Sequence, residues 1–483
     1  MIKLDLSNMD EEIRNRGLDD AQAAKVKTAF LKNLSEKAHR FYGGKMQTVP
    51  KAGVFGFNWF NVWYTPGVSK VSTAIRDNND AAYDLSNKGN LVAVVSDSTR
   101  VLGDGDCTPA GGLGVMEGKA FLMKYLGGVD ATALCINSRN SKGETDPDKI
   151  IDFVKMVQPS FGAVNLEDIS QPNCYKVLDT LREECDIPVW HDDAQGTACV
   201  TLAGLINAVK LAGKKLEAVK IVFLGAGASN TTIARIVMLA GAKPENIVMF
   251  DSKGSLHKDR KDVEKDKRFY RKWELCLQTN PGKIDTFSQA MTGADVLIAL
   301  SEPGPDTVSP DDIRRMAPKS IVFVCANPVP EIYPYAAKAA GAYIVATGRG
   351  DFPNQVNNSV GFPGILKGAL LVRAKKISDG MTIVAAKSLA KYAEDRGISP
   401  DNIIATMEEP GVFPHEAADV AMQAIKEGLA RVNMTRDEVF SKAQKDIAYS
   451  RNLVDLMEKE GYIEKTPVEM INRAFEEALI SIQ

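Results

Sequence analysis

Two short runs of this chain end in paired carboxylates, Leu166-Glu167-Asp168 and His191-Asp192-Asp193. Each closes a strand-length apolar stretch. Both pairs are therefore expected outside the carboxyl ends of neighbouring parallel strands, where open α/β sheets gather ligands. Crowding like charges there costs free energy unless a cation or a basic side chain compensates. An all-oxygen set with room for water suits Mg²⁺ or Mn²⁺ rather than zinc. For one pair alone, helix capping or a solvated loop accounts for the acids equally well; for both on one sheet, a metal is the better reading. His191 is one of four histidines, at 39, 191, 257 and 415, and none pairs with another at ligand spacing. It is expected to be a structural, hydrogen-bonded residue.

Groups that move protons come next. The glycine-dense stretch 111–118 runs into VMEGKAFLMKYL and places Lys119 at a predicted helix start. A cation there opposes the helix dipole, and a nearby metal would lower its pKa further, as a general base requires. Taken singly, a lysine is more often an ordinary surface residue. In Trp63-Tyr64-Thr65-Pro66-Gly67-Val68 the Pro-Gly turn presents Tyr64 in a fixed direction. Asn327 in CANPVPE and Asn357-Asn358 in DFPNQVNNSVGFPG offer donor and acceptor without charge, which fits a carboxamide or a carboxylate. A turn residue beside proline is the alternative at each.

The segment KIVFLGAGASN follows a strand pattern and opens a predicted helix over 231–239. Gly225 permits the tight turn, and Gly227 lets the backbone of Gly225-Ala226-Gly227-Ala228-Ser229 approach a pyrophosphate at the helix N-terminus. The third glycine position holds Asn230, which weakens the fingerprint without touching phosphate contact. Asp251 ends the next strand, about where an acid meets the adenosine ribose. A tight strand–helix turn in a non-binding α/β domain is the competing account of the glycines alone.

The elements that must position these groups alternate. Strand-length runs occupy 91–97, 131–137, 163–168 and 188–193, and a second series occupies 221–224, 247–251, 296–300, 321–326 and 343–347. Several are followed by helix-period segments, which predicts βαβ units and parallel sheets. An amphipathic helix is expected over 19–42 and another over 195–212, and the chain after Gly361 reads as helical to its end. The charged cluster 257–271 reads as a solvated loop and helix face. The expected fold is α/β: an N-terminal parallel-sheet substrate and metal domain over 1–200 and a Rossmann-type dinucleotide domain over 201–370. C-terminal helices over 371–483 then pack back on the first domain.

Composition bounds the class. With 483 residues, 45% hydrophobic and 25% charged, the chain is an ordinary globular one of two or three domains. A net charge of −3 from 59 basic and 62 acidic residues gives no nucleic-acid footprint. The seven cysteines are scattered, with no CxxC pair, as in a reduced cytosolic protein. The acidic first residues lack a signal peptide's apolar core, and no apolar run has membrane-spanning length, so a cytoplasmic location without membrane partners is expected.

Together the strings YTPGV, VMEGKA, NLEDI, HDDAQGTA, the glycine turn, ANPVPEIYP and TGRGDFPNQVNN…GFPG resemble the malic enzyme family over roughly 49–374. The form resembled is the short microbial one. The resemblance implies oxidative decarboxylation of malate to pyruvate and carbon dioxide with NAD or NADP and Mg²⁺ or Mn²⁺. It also implies a homodimer or higher homo-oligomer. Lys119 matches the base that takes the malate hydroxyl proton, Tyr64 the acid that protonates the enolate carbon, and Asp192 the carboxylate that steadies the lysine. Glu167, Asp168 and Asp193 match the metal ligands. Asn327 and Asn358 match residues at substrate and nicotinamide, Asn357 stands beside the cofactor, and Arg100 matches a substrate-carboxylate arginine.

This chain departs from the family at Ala194-Gln195, at the LGDGDCTP turn with Asp104, and at Asn230. Another 2-hydroxy diacid as substrate, or a non-catalytic dinucleotide or malate sensor, are the competing functions. Binding alone needs neither Tyr64 nor Lys119, which weighs against the sensor. A small preference for NAD follows from Asp251, whose charge would face the 2′-phosphate of NADP.

Overall fold

The computed structural model describes residues 1–101 and 103–481. Strands β1 (Leu91–Ser96), β2 (Asp130–Cys135), β3 (Ala163–Leu166) and β4 (Val189–His191) form a parallel sheet in the order β2-β1-β3-β4. A second sheet holds β5 (Ile221–Leu224), β6 (Ile247–Asp251), β7 (Gly254–Ser255), β8 (Val296–Ala299), β9 (Ile321–Val324) and β10 (Ile344–Thr347). Its order is β10-β9-β8-β5-β6-β7, parallel except for the short β7, which runs antiparallel to β6. This is the expected α/β class, with a Rossmann-type second sheet and helices toward the C-terminus.

By contact the chain divides into two units: Met1–Lys51 with Tyr449–Gln483, and Ala52–Ala448. The first is built on helix Asp20–Tyr42. Asp19 accepts from the Gln22 backbone N–H at 2.8 Å, and Gln22 reciprocates at 3.2 Å, which fixes the helix start. Gly43, at φ 69°, ends it. Val26 and Phe30 are buried with Ile471 and Phe475 of helix Val468–Ile480. Burying each such side chain contributes ~1.5–3 kcal/mol.

The second unit carries both sheets. Val92–Val95 are fully buried, as an unbroken apolar strand covered on both faces must be. Helix Thr197–Leu211 buries residues on every side, against helices Ala228–Leu239 and Asp379–Asp395. It begins from a wide π-type turn, Asp192–Gly196, so the predicted helix at 195 starts two residues later.

Two expectations need correction. Lys119 is not at a helix start: helix Leu113–Gly127 is already under way, and Lys119 sits at its centre and is buried. The cluster 257–271 is not merely a solvated face. Arg260 and Arg271 are both buried, because each guanidinium closes on a carboxylate, Asp251 and Asp179 respectively.

Candidate active site

Adjacent strands bring the acids together. β3 pairs with β4 so that Leu166 lies opposite His191, and both chains turn immediately afterwards. Asp168 takes a left-handed φ of 54°, a conformation that a non-glycine residue holds only when its surroundings fix it. Its N–H donates to Asp193 Oδ2 at 2.7 Å. As a result, one oxygen from each of Glu167, Asp168 and Asp193 lies within 4.8 Å of the others. Three carboxylates converging at that spacing fit a hard divalent cation such as Mg²⁺ or Mn²⁺.

Asp192 points the other way, into the protein. It is fully buried, accepts from Trp190 Nε1 at 3.2 Å, and is hydrogen-bonded to Lys119 Nζ. The same ammonium lies 3.1 Å from Glu167 Oε1 and 4.8 Å from the centre of the Phe362 ring. Glu167 is steadied from behind by Asn165 Nδ2 at 2.9 Å.

Electrostatics follow from this packing. Burial pulls the Lys119 pKa down, but Asp192, Glu167 and Asp193 more than offset it, and the ammonium is held well above its ordinary range. Burial pushes Glu167 up, Asp193 adds to it, and Lys119 opposes. Lys119 pairs with Glu167 and Asp192, and a divalent cation held by Glu167, Asp168 and Asp193 would favour the charged forms of these acids.

His191 does not behave as expected. Its ring is buried with neither nitrogen hydrogen-bonded among the described residues, Nδ1 lies 3.8 Å from Asp193 Oδ2, and burial lowers its pKa.

The glycine turn lies beside this cluster. Gly225 has φ 95°, and a Cβ there would come within 2.3 Å of the Leu300 carbonyl, so only glycine fits. Ala226 is buried, Gly227 precedes helix Ala228–Leu239, and Ser229 Oγ donates to the Asp193 carbonyl at 2.9 Å. Asn230, the departure from the fingerprint, donates from Nδ2 to the carbonyls of Leu224 and Gly225, both at 2.9 Å. It clamps strand to helix by hydrogen bonds where the third glycine would do so by close packing.

At the end of β6, Asp251 accepts from Arg260 at 3.0 and 2.9 Å and from Lys272 at 3.1 Å. Arg260 also holds Asp262 at 2.8 Å. A cavity of about 210 Å³ opens there, lined by Asp251, Lys253, Asp262, Asp266, Phe269 and Lys272.

The remaining candidates are placed as follows. The Arg100 N–H donates to the Asp168 carbonyl at 3.0 Å, which sets this exposed arginine beside the acids. Exposed Asn327 follows β9, and a Cβ on Gly103 would lie 2.6 Å from its carbonyl, so the second sheet's loop touches the turn after Arg100. The Asn358 Cβ lies 3.2 Å from where Gly196 would carry one, against the acid-bearing turn. The Asn357 side chain accepts from the Ser359 N–H at 3.0 Å, a local turn. Tyr64 makes none of the described contacts with Lys119 or the acids, and its side chain is 73% exposed.

Other supporting residues escaped the sequence reading. Buried Asp97, at the end of β1, accepts from Thr99 and Ser138 hydroxyls at 2.6 and 2.8 Å and shapes the loop that carries Arg100. Buried Glu331 accepts from the N–H groups of Ser301 at 2.8 Å and Ala326 at 3.2 Å, tying together the loops after β8 and β9. An acid three residues after the Asn327-Pro328 pair was the available signal.

Sequence models of the malic enzyme N-terminal domain and of the malic enzyme NAD binding domain match residues 57–182 and 194–425. A bifunctional malic/malolactic enzyme of Bacillus subtilis is 41% identical over 86% of this chain and 98% of its own length. An NAD-dependent malic enzyme of Geobacillus stearothermophilus is 40% identical over 86% of this chain and 83% of its own. The crystal structure of an Entamoeba histolytica malic enzyme superposes with a TM-score of 0.98 at 61% identity, covering 100% of this chain and 99% of that one.

Proposed function

The chain belongs to the malic enzyme family, and from that premise we propose how its own side chains divide the reaction. The reaction is decarboxylating malate dehydrogenation: malate is oxidised by NAD or NADP and the product loses carbon dioxide to give pyruvate. Lys119 is the base. Its Nζ takes the proton from the malate 2-hydroxyl as hydride leaves the same carbon for the nicotinamide, and Asp192 fixes the direction of the amine throughout. Arg100, Asn327 and Asn358 grip substrate and nicotinamide, and Asn357 lies beside the cofactor. Tyr64 then donates a proton to the enolate carbon left by decarboxylation.

Glu167, Asp168 and Asp193 would hold Mg²⁺ or Mn²⁺, which when bound would polarise the substrate's 2-oxo oxygen and offset the carboxylate charge that keeps Lys119 protonated. The backbone of Gly225-Ala226-Gly227-Ala228-Ser229 receives the pyrophosphate, and Asp251 the adenosine ribose. NAD is favoured by a small margin. Arg260 and Lys272 are already paired with carboxylates, so a 2′-phosphate must displace an existing ion pair to be held.

The division of labour is substrate and metal in 1–200, dinucleotide in 201–370, and support from the helices of 371–483. The setting is a cytoplasmic homodimer or higher homo-oligomer. Among the described residues, no helix is long and apolar enough to cross a membrane.

The observation that carries this reading is the convergence of Lys119, Asp192 and the three-carboxylate cluster. Its test is Lys119→Ala, which should lower malate oxidation by ~10²–10⁴ while dinucleotide binding stays nearly unchanged. Near-normal turnover would remove Lys119 from the chemistry.

A further inference from the structure

We infer that Trp190 and Asn165 are positioning residues for the base: a cross-strand pair of buried donors that aims the two carboxylates gripping Lys119. Trp190 acts on the base alone, and Asn165 on the base and the cation ligands together. The inference rests on the reading of Lys119 as the base.

The parallel register of β3 and β4 sets Asn165 directly opposite Trp190. Side chains two residues apart on a strand leave from the same face. Each of these residues therefore reaches the carboxylate two positions on, where its own strand ends. Asn165 Nδ2 donates to Glu167 Oε2 at 2.9 Å, and Trp190 Nε1 donates to Asp192 Oδ1 at 3.2 Å. The second oxygen of each acid faces the ammonium: Glu167 Oε1 lies 3.1 Å from Lys119 Nζ, and Asp192 Oδ2 accepts from it. One oxygen of each carboxylate is thus tied to the sheet, and the other is presented to the lysine.

Asn165 and Trp190 are fully buried, so neither can touch malate or the dinucleotide, and both must act through the acids. Both donors are neutral, so they fix the acids without drawing their charge away from Lys119. A Cβ at Gly196 would collide with Asp192 Oδ1, so glycine leaves that oxygen room to meet the indole. Proton transfer depends on the direction and distance of the amine, and a carboxylate free to rotate would carry Nζ with it. The two arms of the pair differ in one respect. Glu167 is also read as a cation ligand, whereas Asp192 is not.

The decisive variant is Trp190→Phe, assayed with L-malate, NAD and Mn²⁺. Turnover should fall about ten-fold, the effect of losing one hydrogen bond to a charged acceptor. KM for malate and the half-saturating Mn²⁺ concentration should stay unchanged. The isotope effect on kcat with malate deuterated at carbon 2 should grow, because hydride transfer becomes the slower step. In an Asp192→Asn background, Trp190→Phe should cost little more. An equal loss in both backgrounds would make Trp190 a core filler and overturn the inference. The benzothiophene analogue of tryptophan at position 190 keeps the ring's shape but has sulfur in place of the N–H. It should reproduce the fall even if the phenyl variant folds poorly, and wild-type turnover with it would overturn the inference. Asn165→Ala should both slow turnover and raise the Mn²⁺ requirement; no change in either would break the pair. Full turnover in Trp190→Phe beside an inactive Lys119→Ala would overturn this inference and leave the base reading standing. An active Lys119→Ala would overturn both.

Discussion

Two strand-end carboxylate sites in this molecule solve opposite problems. At β3 and β4, Lys119 pairs with Glu167 and Asp192, while Glu167, Asp168 and Asp193 converge on one point. At β6, Asp251 has two cations, Arg260, which it shares with Asp262, and Lys272. The first site gathers three carboxylate oxygens within 4.8 Å of one another, the arrangement proposed to take a cation from outside. The second is neutralised from within, and its residual field is weak. The pairing of the acids, rather than their presence, would separate the proposed cation site from the proposed ribose site.

The largest effect that would break this comparison lies at the first site. Asp193→Asn or Glu167→Gln should raise the Mn²⁺ concentration for half-maximal activity at least tenfold, and Mn²⁺ titration should show the same loss of binding. Full activity in excess chelator would remove the metal from the mechanism.

At the second site the expected effect is smaller. Wild-type kcat/KM should favour NAD over NADP by a few-fold, because the Asp251 repulsion of ~4 kcal/mol per close charge pair is largely cancelled by Arg260 and Lys272. Asp251→Ser should narrow that gap. A strong NADP preference unchanged by the substitution would assign selectivity to the basic residues instead.

Smallest is Asn230→Gly, which restores the usual fingerprint. It should cost about 1–2 kcal/mol of stability in urea unfolding, for two lost hydrogen bonds, with dinucleotide affinity nearly unchanged. A large loss of affinity would make Asn230 a cofactor contact.

The acid cluster was legible in the sequence because its parts are local. An apolar strand, then a carboxylate pair, fixes where the charges emerge, and two such strands in one sheet bring the pairs near each other. What the sequence reading missed depends on partners distant in sequence. Lys119 was placed at a helix start because glycines normally interrupt helices, yet the helix already begins at Leu113 and is held there by burial of Met116, Ala120 and Met123. Arg260 and Arg271 read as solvent charges because nothing local showed that Asp251 and Asp179 would fold onto them. His191 was expected to be hydrogen-bonded from its polar neighbours, but neither ring nitrogen reaches a described hydrogen-bond partner, and Asp193 Oδ2 stays 3.8 Å from Nδ1. Tyr64 was legible as a residue but not as a position, since a turn motif fixes direction only relative to its own segment.

The hydroxyl of Ser229 donates to the carbonyl of Asp193, so the turn proposed for pyrophosphate and a proposed cation ligand are one hydrogen bond apart. This contact makes cooperative loading a measurable quantity. If dinucleotide tightens Mn²⁺ binding by some factor, Mn²⁺ must tighten dinucleotide binding by the same factor, and Ser229→Ala should reduce both together. Any order of addition seen in steady-state kinetics would then report which ligand can reach its place first, and not which one the protein holds more firmly.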